Sequence, residues 1–198
     1  MAQPRAWQRM LSGRRLDLLD PSPLDIEFED IAHGLARVAR WNGQTVGDHA
    51  FSVAQHSWLV EDVTVHLLGS ATTEQRLYAL LHDAPEYVIG DMISPFKAMI
   101  GDAYKTVEAR LQAAIHLRSG LAAEPSDKLK KTIKRADRMV AWFEATHLAG
   151  FSESEAEKYF ERPSGLAPEA LDLKPLPTLE AQAMYLDRVQ AVMAGAAA

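Results

Sequence analysis

Apolar residues in this chain recur at every third or fourth position, the period of one face of an α-helix. Ile31, Leu35 and Val38 predict a helix over residues 29–39; Val53, Leu59, Val60 and Val63 a helix running to about residue 68; and Leu77, Leu80 and Leu81 a third. Val107, Leu111, Ala114 and Ile115 mark a helix over 102–118, and Leu129, Ile133, Ala136, Val140 and Phe143 the longest, over 126–149. A last helix over 178–193 carries Leu179, Leu186, Val189 and Met193 on one side. No stretch alternates strictly enough for a strand, and residues 6–12 read as a short helix. The expected fold is therefore all-α, a helical bundle. With 198 residues and 47% hydrophobic content, the chain can bury one good core, so a single domain spans 1–198. Its core covers about 28–150, with an N-terminal extension 1–27 and a C-terminal helical extension 164–198, whose last helix follows a proline-rich connector from Pro163 to Pro177.

Local signals support the same boundaries. Ser52 with Gln55, Thr72 with Gln75, and Ser152 with Glu155 have capping-box spacing, in which each end of the pair satisfies a backbone N–H of the other. Ser126 starts the longest helix, and Gly120 and Gly150 stop the helices before them. Arg40-Trp41-Asn42-Gly43 ends the first helix in turn residues, and Ser94-Pro95-Phe96-Lys97 reads as a loop with Lys97 in solvent.

Charge and composition remove several function classes. The net charge of −6 and a pI near 5.6 lack the basic stripe of a nucleic-acid binder. With no cysteine, disulfides, thiolate metal sites and cysteine nucleophiles are excluded. The N-terminus has no apolar signal region, and no apolar run approaches the roughly eighteen residues of a membrane span. A soluble cytoplasmic protein without membrane or nucleic-acid partners is expected.

Chemistry concentrates where an apolar run, Leu80-Leu81, meets His82, Asp83, Pro85, Glu86, Gly90 and Asp91. If the helix continues through that turn, Glu86 stacks beside both His82 and Asp83. Asp137 lies inside the apolar stripe of the longest helix, where a carboxylate costs several kcal/mol unless paired or bound to metal. The plain alternative pairs Asp137 with Arg135 or Arg138. His56, in the first turn of its own helix, is unremarkable alone; His49 falls in the preceding loop, and His33 is read as a packed or surface histidine. Together, His56, His82, Asp83 and Asp137 would bring two imidazoles and two carboxylates from three helices to one core. Such nitrogen and oxygen donors suit a single divalent transition-metal ion (Mn, Fe, Co, Ni or Zn) with positions left for water. They make a poor calcium cage and an unusual structural zinc site.

This order of His, His-Asp and Asp on helices resembles the HD-domain metal-dependent phosphohydrolases. His82-Asp83-Ala84-Pro85-Glu86, with Gly90-Asp91 and Ser94-Pro95-Phe96-Lys97 behind it, is similar to their 5′-deoxynucleotidase branch, as is Ile133-Lys134-Arg135-Ala136-Asp137. In that branch an Arg-Trp pair precedes the first metal histidine, as Arg40-Trp41 does here, about one residue further upstream. The resemblance covers residues 30–150. It implies that His56, His82, Asp83 and Asp137 bind the metal, and that Glu86 and Asp91 manage protons and orient the attacking water. It further implies that Arg40 holds phosphate, that Trp41 lies against sugar or base, and that the chain forms a homodimer, for which the C-terminal helix offers a surface. The implied reaction is hydrolysis of small nucleotides, most simply deoxyribonucleoside 5′-monophosphates; di- or triphosphate removal and a non-catalytic nucleotide sensor are the alternatives. Gln55 stands before His56 where the family pattern leads one to expect Glu.

Overall fold

The computed structural model describes residues 6–93, 96, 99 and 101–195. The helices are α1 (Phe28–Leu35), α2 (Val53–Leu68), α3 (Thr73–Leu80), α4 (Glu86–Ile89), α5 (Asp102–Arg118), α6 (Asp127–His147), α7 (Glu153–Ala156) and α8 (Thr178–Met193). The loop expected at Ser94-Pro95-Phe96-Lys97, Lys97 included, lies outside the described residues apart from position 96. No helix of the described residues is long and apolar enough to cross a membrane.

Helix α2 is the axis of the bundle. Every residue from Val53 to Glu61 is buried, with Val63 and Thr64, so the helix is covered on all sides, as expected of a helix inside a core. It packs against α6, α3, α8 and α1. Ser52 caps it by accepting the Gln55 backbone N–H at 3.3 Å. The reciprocal half of the expected capping box is missing, because the Gln55 side chain is turned to distant partners. The boxes at Thr72–Gln75 and Ser152–Glu155 are both complete.

Three expectations are corrected. Residues 6–12 form no helix: β1 (Trp7–Arg9) pairs antiparallel with β2 (Arg15–Asp17), Trp7 opposite Asp17. Three-residue strands are too short to show a period, and their anchors are remote. Asp30 of α1 accepts hydrogen bonds from Ser12 N at 3.0 Å and Ser12 Oγ at 2.5 Å, and Gly13 turns the hairpin at φ 89°. Helix α1 ends at Leu35 because residues 38–40 leave it to pair with the start of α2. Arg40 N donates to Phe51 O at 2.8 Å and Val53 N to Val38 O at 3.0 Å, which carries Arg40 beside α2. Helix α8 buries Ala181, Tyr185, Val189 and Val192, while Leu179 and Met193 of the predicted face are exposed. Its packing on α1, α2 and α3 and the hydrogen bond from Tyr185 Oη to Leu80 O at 3.0 Å make it a wall of the core.

Helix α4 is pressed onto α1 at a glycine. A Cβ on Gly34 would stand 2.7 Å from Tyr87 Cβ and 2.8 Å from Tyr87 O. Gly34→Ala must therefore push α4 away. Overpacking of this kind costs about 1–3 kcal/mol, which outweighs the helix-propensity gain of about 1 kcal/mol. The melting temperature is expected to drop, by roughly 2–4 °C per kcal/mol of net loss. An unchanged thermal melt would show that α4 can recede at no cost.

Candidate metal centre

Helix α3 stops at Leu80, and residues 81–85 form successive turns before α4. His82 and Asp83 therefore project from a turn and not from the helix the sequence suggested. The turn is closed by hydrogen bonds from Ala84 N to Leu81 O at 3.1 Å and from Glu86 N to Asp83 O at 3.0 Å. Pro85 occupies the position before α4, whose first residue is Glu86. The Glu86 carboxylate is thereby carried inside, 2% exposed, one turn from Asp83.

Opposite this turn stand α2 and α6. The His56 imidazole, wholly buried, lies between two carboxylates of α6. Its Nε2 is 3.2 Å from Asp137 Oδ1, and its Nδ1 donates to Glu144 Oε1 at 2.5 Å. Asp83 Oδ2 approaches both imidazoles, 3.6 Å from His56 Nε2 and 3.2 Å from His82 Nε2. The rings of His56 and His82 are 5.3 Å apart between centroids. One donor atom from each of His56, His82 and Asp137 lies within 4.8 Å of the other two. Arg135, an alternative partner for Asp137, is instead paired with Glu161 at 2.6 Å.

The donor set fits a divalent ion. His82 Nδ1 donates to Ala79 O at 2.9 Å and His56 Nδ1 to Glu144, so each ring is oriented with its hydrogen on Nδ1. This is the second contact that metal-ligating histidines usually make. Both Nε2 atoms are buried without a hydrogen bond to the protein, and both face carboxylate oxygens. Two lone pairs and two carboxylates converging on one point require a cation between them. In the protein alone that cation is a proton. Burial and the Arg40 charge push the His56 pKa down, but the Glu144 charge and the close approach of the Asp137 and Glu144 carboxylates override them and push it up to about 10. Burial likewise works to raise Asp83 and Asp137. The facing histidines and Arg40 hold the Asp83 carboxyl well below its ordinary value, and the His56 contact lowers that of Asp137.

Arg40 lies in the same site. Its Nε donates to Glu144 Oε2 at 3.2 Å and its Nη1 to Asp91 Oδ2 at 3.1 Å, while Nη2 makes no hydrogen bond to the described residues. The structure thus brings Asp91 together with Arg40, and the pair is mostly enclosed. Trp41 is packed against Phe151 and Phe160, each at 5.6 Å between centroids, and its Nε1 donates to Glu144 Oε2 at 2.8 Å. Trp41 and Asn42 both have left-handed backbone, φ 56° and 52°. That conformation is costly for a bulky residue, and the indole contacts and the strand-like pairing of residues 38–40 hold it in place. His49 is exposed in its loop.

Glu144 is the residue that sequence reasoning missed. It is fully buried and accepts hydrogen bonds from His56, Arg40 and Trp41. Burial pushes its carboxyl up, but Arg40 and His56 dominate and hold it down at about 2. The signal was available. Glu144 lies seven residues after Asp137, on the same helical face, directly after the apolar run Val140-Ala141-Trp142-Phe143. Like Asp137, it is a carboxylate on an apolar helix face and needs a pairing partner or a metal there.

Gln55, the departure from the family pattern, grips the C-terminal segment. Its Nε2 donates to Lys174 O at 2.8 Å and its Oε1 accepts from Leu176 N at 3.1 Å. The amide donates one bond and accepts the other, whereas an ionised carboxylate could only accept. Gln55→Glu is expected to cost about 1–3 kcal/mol, the penalty for a buried polar group left without its partner, and to loosen residues 174–176. Faster amide hydrogen exchange at Leu176 is the measurement; unchanged exchange would show that the segment is held by packing.

Residues 27–161 match the model of a family described as 5′-deoxynucleotidase YfbR-like. An uncharacterized protein of Rhodobacter capsulatus is 55% identical over 184 residues, 93% of this chain and 94% of that one. The uncharacterized protein YfdR of Escherichia coli is 33% identical over 106 residues, 54% of each chain. A 4′-phosphooxetanocin A phosphatase of Priestia megaterium is 28% identical over 118 residues, 54% of this chain and 60% of its own.

Proposed function

The chain belongs to the YfbR-like 5′-deoxynucleotidase family of HD-domain phosphohydrolases, metal-dependent nucleotide phosphohydrolases in the broad sense, and we propose that it cleaves deoxyribonucleoside 5′-monophosphates to nucleoside and phosphate. The observation that carries this reading is the pair of buried Nε2 atoms facing Asp83 and Asp137, with the Arg40 guanidinium alongside. His56, His82, Asp83 and Asp137 would hold one divalent ion. Bound there, such an ion lowers the pKa of water and neutralises a phosphoryl oxygen.

The remaining work falls to the chain's own groups. Arg40, tied down through Nε and Nη1, presents Nη2 to a phosphate oxygen, and a planar guanidinium suits that geometry. Asp91 keeps the guanidinium oriented. Glu86, buried one turn from Asp83, takes or delivers the proton that passes between water and the leaving 5′ oxygen. Trp41, wedged against Phe151 and Phe160, shapes the wall beside Arg40 where sugar or base would lie.

Charge favours the monoester. Asp83, Asp91, Asp137 and Glu144 all act electrostatically on Arg40, which is ion-paired with Asp91 and Glu144. One divalent ion and one arginine match a dianionic phosphate better than a triphosphate tail. A related protein named for a phosphatase activity on a phosphorylated oxetanocin points the same way. Homodimer formation belongs to this proposal and is read by light scattering.

The test is phosphate release from a panel of nucleoside 5′-mono-, di- and triphosphates by chelator-stripped protein, with and without Mn²⁺, Co²⁺ or Zn²⁺. Metal-dependent release from deoxy monophosphates is expected. Release from triphosphates alone would move the activity to the longer phosphate chain, and metal binding without release from any of them would make the chain a sensor.

A further inference from the structure

We infer that Glu144 is the positioning residue that joins the metal centre to the phosphate-binding arginine, so that one carboxylate sets the geometry of both. The inference rests on the proposed nucleotide phosphohydrolase site and assigns a role to a residue outside the ligand set.

Seven residues on a helix are just under two turns, about 10 Å along the axis and nearly back on the same face. Asp137 and Glu144 therefore bracket one imidazole, Asp137 on its Nε2 side and Glu144 on its Nδ1 side. The two Glu144 oxygens have separate tasks. Oε1 takes the Nδ1 hydrogen of His56, which leaves the Nε2 lone pair for a metal. Oε2 takes Arg40 Nε and Trp41 Nε1, which orients the guanidinium and secures the left-handed turn that follows Arg40. All three donors are N–H groups, and the carboxylate is fully buried, so no water can replace either oxygen without rearrangement.

A carboxylate meets three donors; an isosteric amide cannot. Glu144→Gln offers one oxygen and one NH₂. Whichever way it turns, a donor faces a donor, at His56 or at the Arg40–Trp41 pair. Losing an outer partner of a metal-ligating histidine typically weakens metal binding about 10–100-fold. The same change frees Arg40, so phosphate should bind several-fold more weakly even when the metal site is filled.

The experiment uses the full chain. Co²⁺ binding is titrated by its visible absorption, and inorganic phosphate is then titrated by calorimetry into the Co²⁺-saturated protein. Glu144→Gln is expected to raise the Co²⁺ dissociation constant by about tenfold or more, to alter the Co²⁺ spectrum, and to weaken phosphate. Arg40→Ala is expected to weaken phosphate with Co²⁺ affinity unchanged. A Glu144→Gln protein with a lower melting temperature but wild-type Co²⁺ spectrum, Co²⁺ affinity and phosphate affinity would overturn the inference, as would loss at one site only. Neither titration requires turnover. Wild-type protein that binds both probes and hydrolyses no nucleotide would refute the proposed reaction, while the Glu144→Gln titrations would still decide the role of Glu144.

Discussion

Asp137→Ala is expected to lose Co²⁺ binding and phosphate release together. The substitution removes one of two anionic donors and the group nearest His56 Nε2. The loss in kcat/KM should exceed the roughly 10²–10³-fold cost of deleting a single electrostatic group from an active site, because the ion itself is lost. A readout independent of turnover is available. An ion held at 100 times its dissociation constant stabilises the folded chain by about 2.7 kcal/mol, roughly 5–10 °C for a chain of this size. Wild-type protein should show that rise in a thermal melt and Asp137→Ala should not. The pH dependence has a definite sign. Protein groups push the His56 pKa up to about 10, so near neutral pH an incoming ion must displace a proton. Apparent Co²⁺ affinity should therefore increase about tenfold per pH unit until that pKa is approached, with a proton released per ion. Affinity that is flat between pH 6 and 8 would mean that His56 is neutral and the assignment of its partners wrong.

Glu86→Gln is expected to separate binding from chemistry. The amide keeps the shape of the buried side chain, so Co²⁺ titrations and thermal melts should match wild type. It cannot exchange a proton, and loss of a positioned general acid or base lowers rate about 10²–10⁴-fold. The decrease should appear in kcat with little change in KM, since ground-state contacts to phosphate come from Arg40 and the ion. A variant retaining full kcat would remove Glu86 from the proton path and shift attention to Asp91.

The helices were legible because their signals are local. Ser126 and Thr72 cap where their side chains predict, and α6 and α8 begin within about a residue of their expected starts. What failed was set by distant partners. The hairpin depends on Asp30 reaching back to Ser12. The α8 face is chosen by what α1, α2 and α3 leave room for, so small Ala181 goes in and larger Leu179 stays out. In the site, the sequence brought His56, His82, Asp83 and Asp137 to attention through their order and their apolar surroundings, and the structure places all four side by side. Glu144 shares the buried face of Asp137 seven residues on, a spacing legible in the sequence, but its partners His56 and Arg40 are set by the fold. Arg40 could be noticed but not placed, since its position depends on strand-like pairing of residues 38–40 with 51–53.

Helix α6 acts as a ruler. Because one unbroken helix carries both Asp137 and Glu144, the offset between the proposed metal site and the guanidinium follows helical pitch and does not depend on loop length. Insertions in the exposed 43–50 segment would leave that offset untouched. A single residue inserted between positions 137 and 144 would rotate Glu144 by about 100° and point it away from both histidine and arginine. The part of this fold least tolerant of insertion is therefore seven residues of ordinary helix, and divergent relatives should vary freely in the loops around the site while keeping that interval constant.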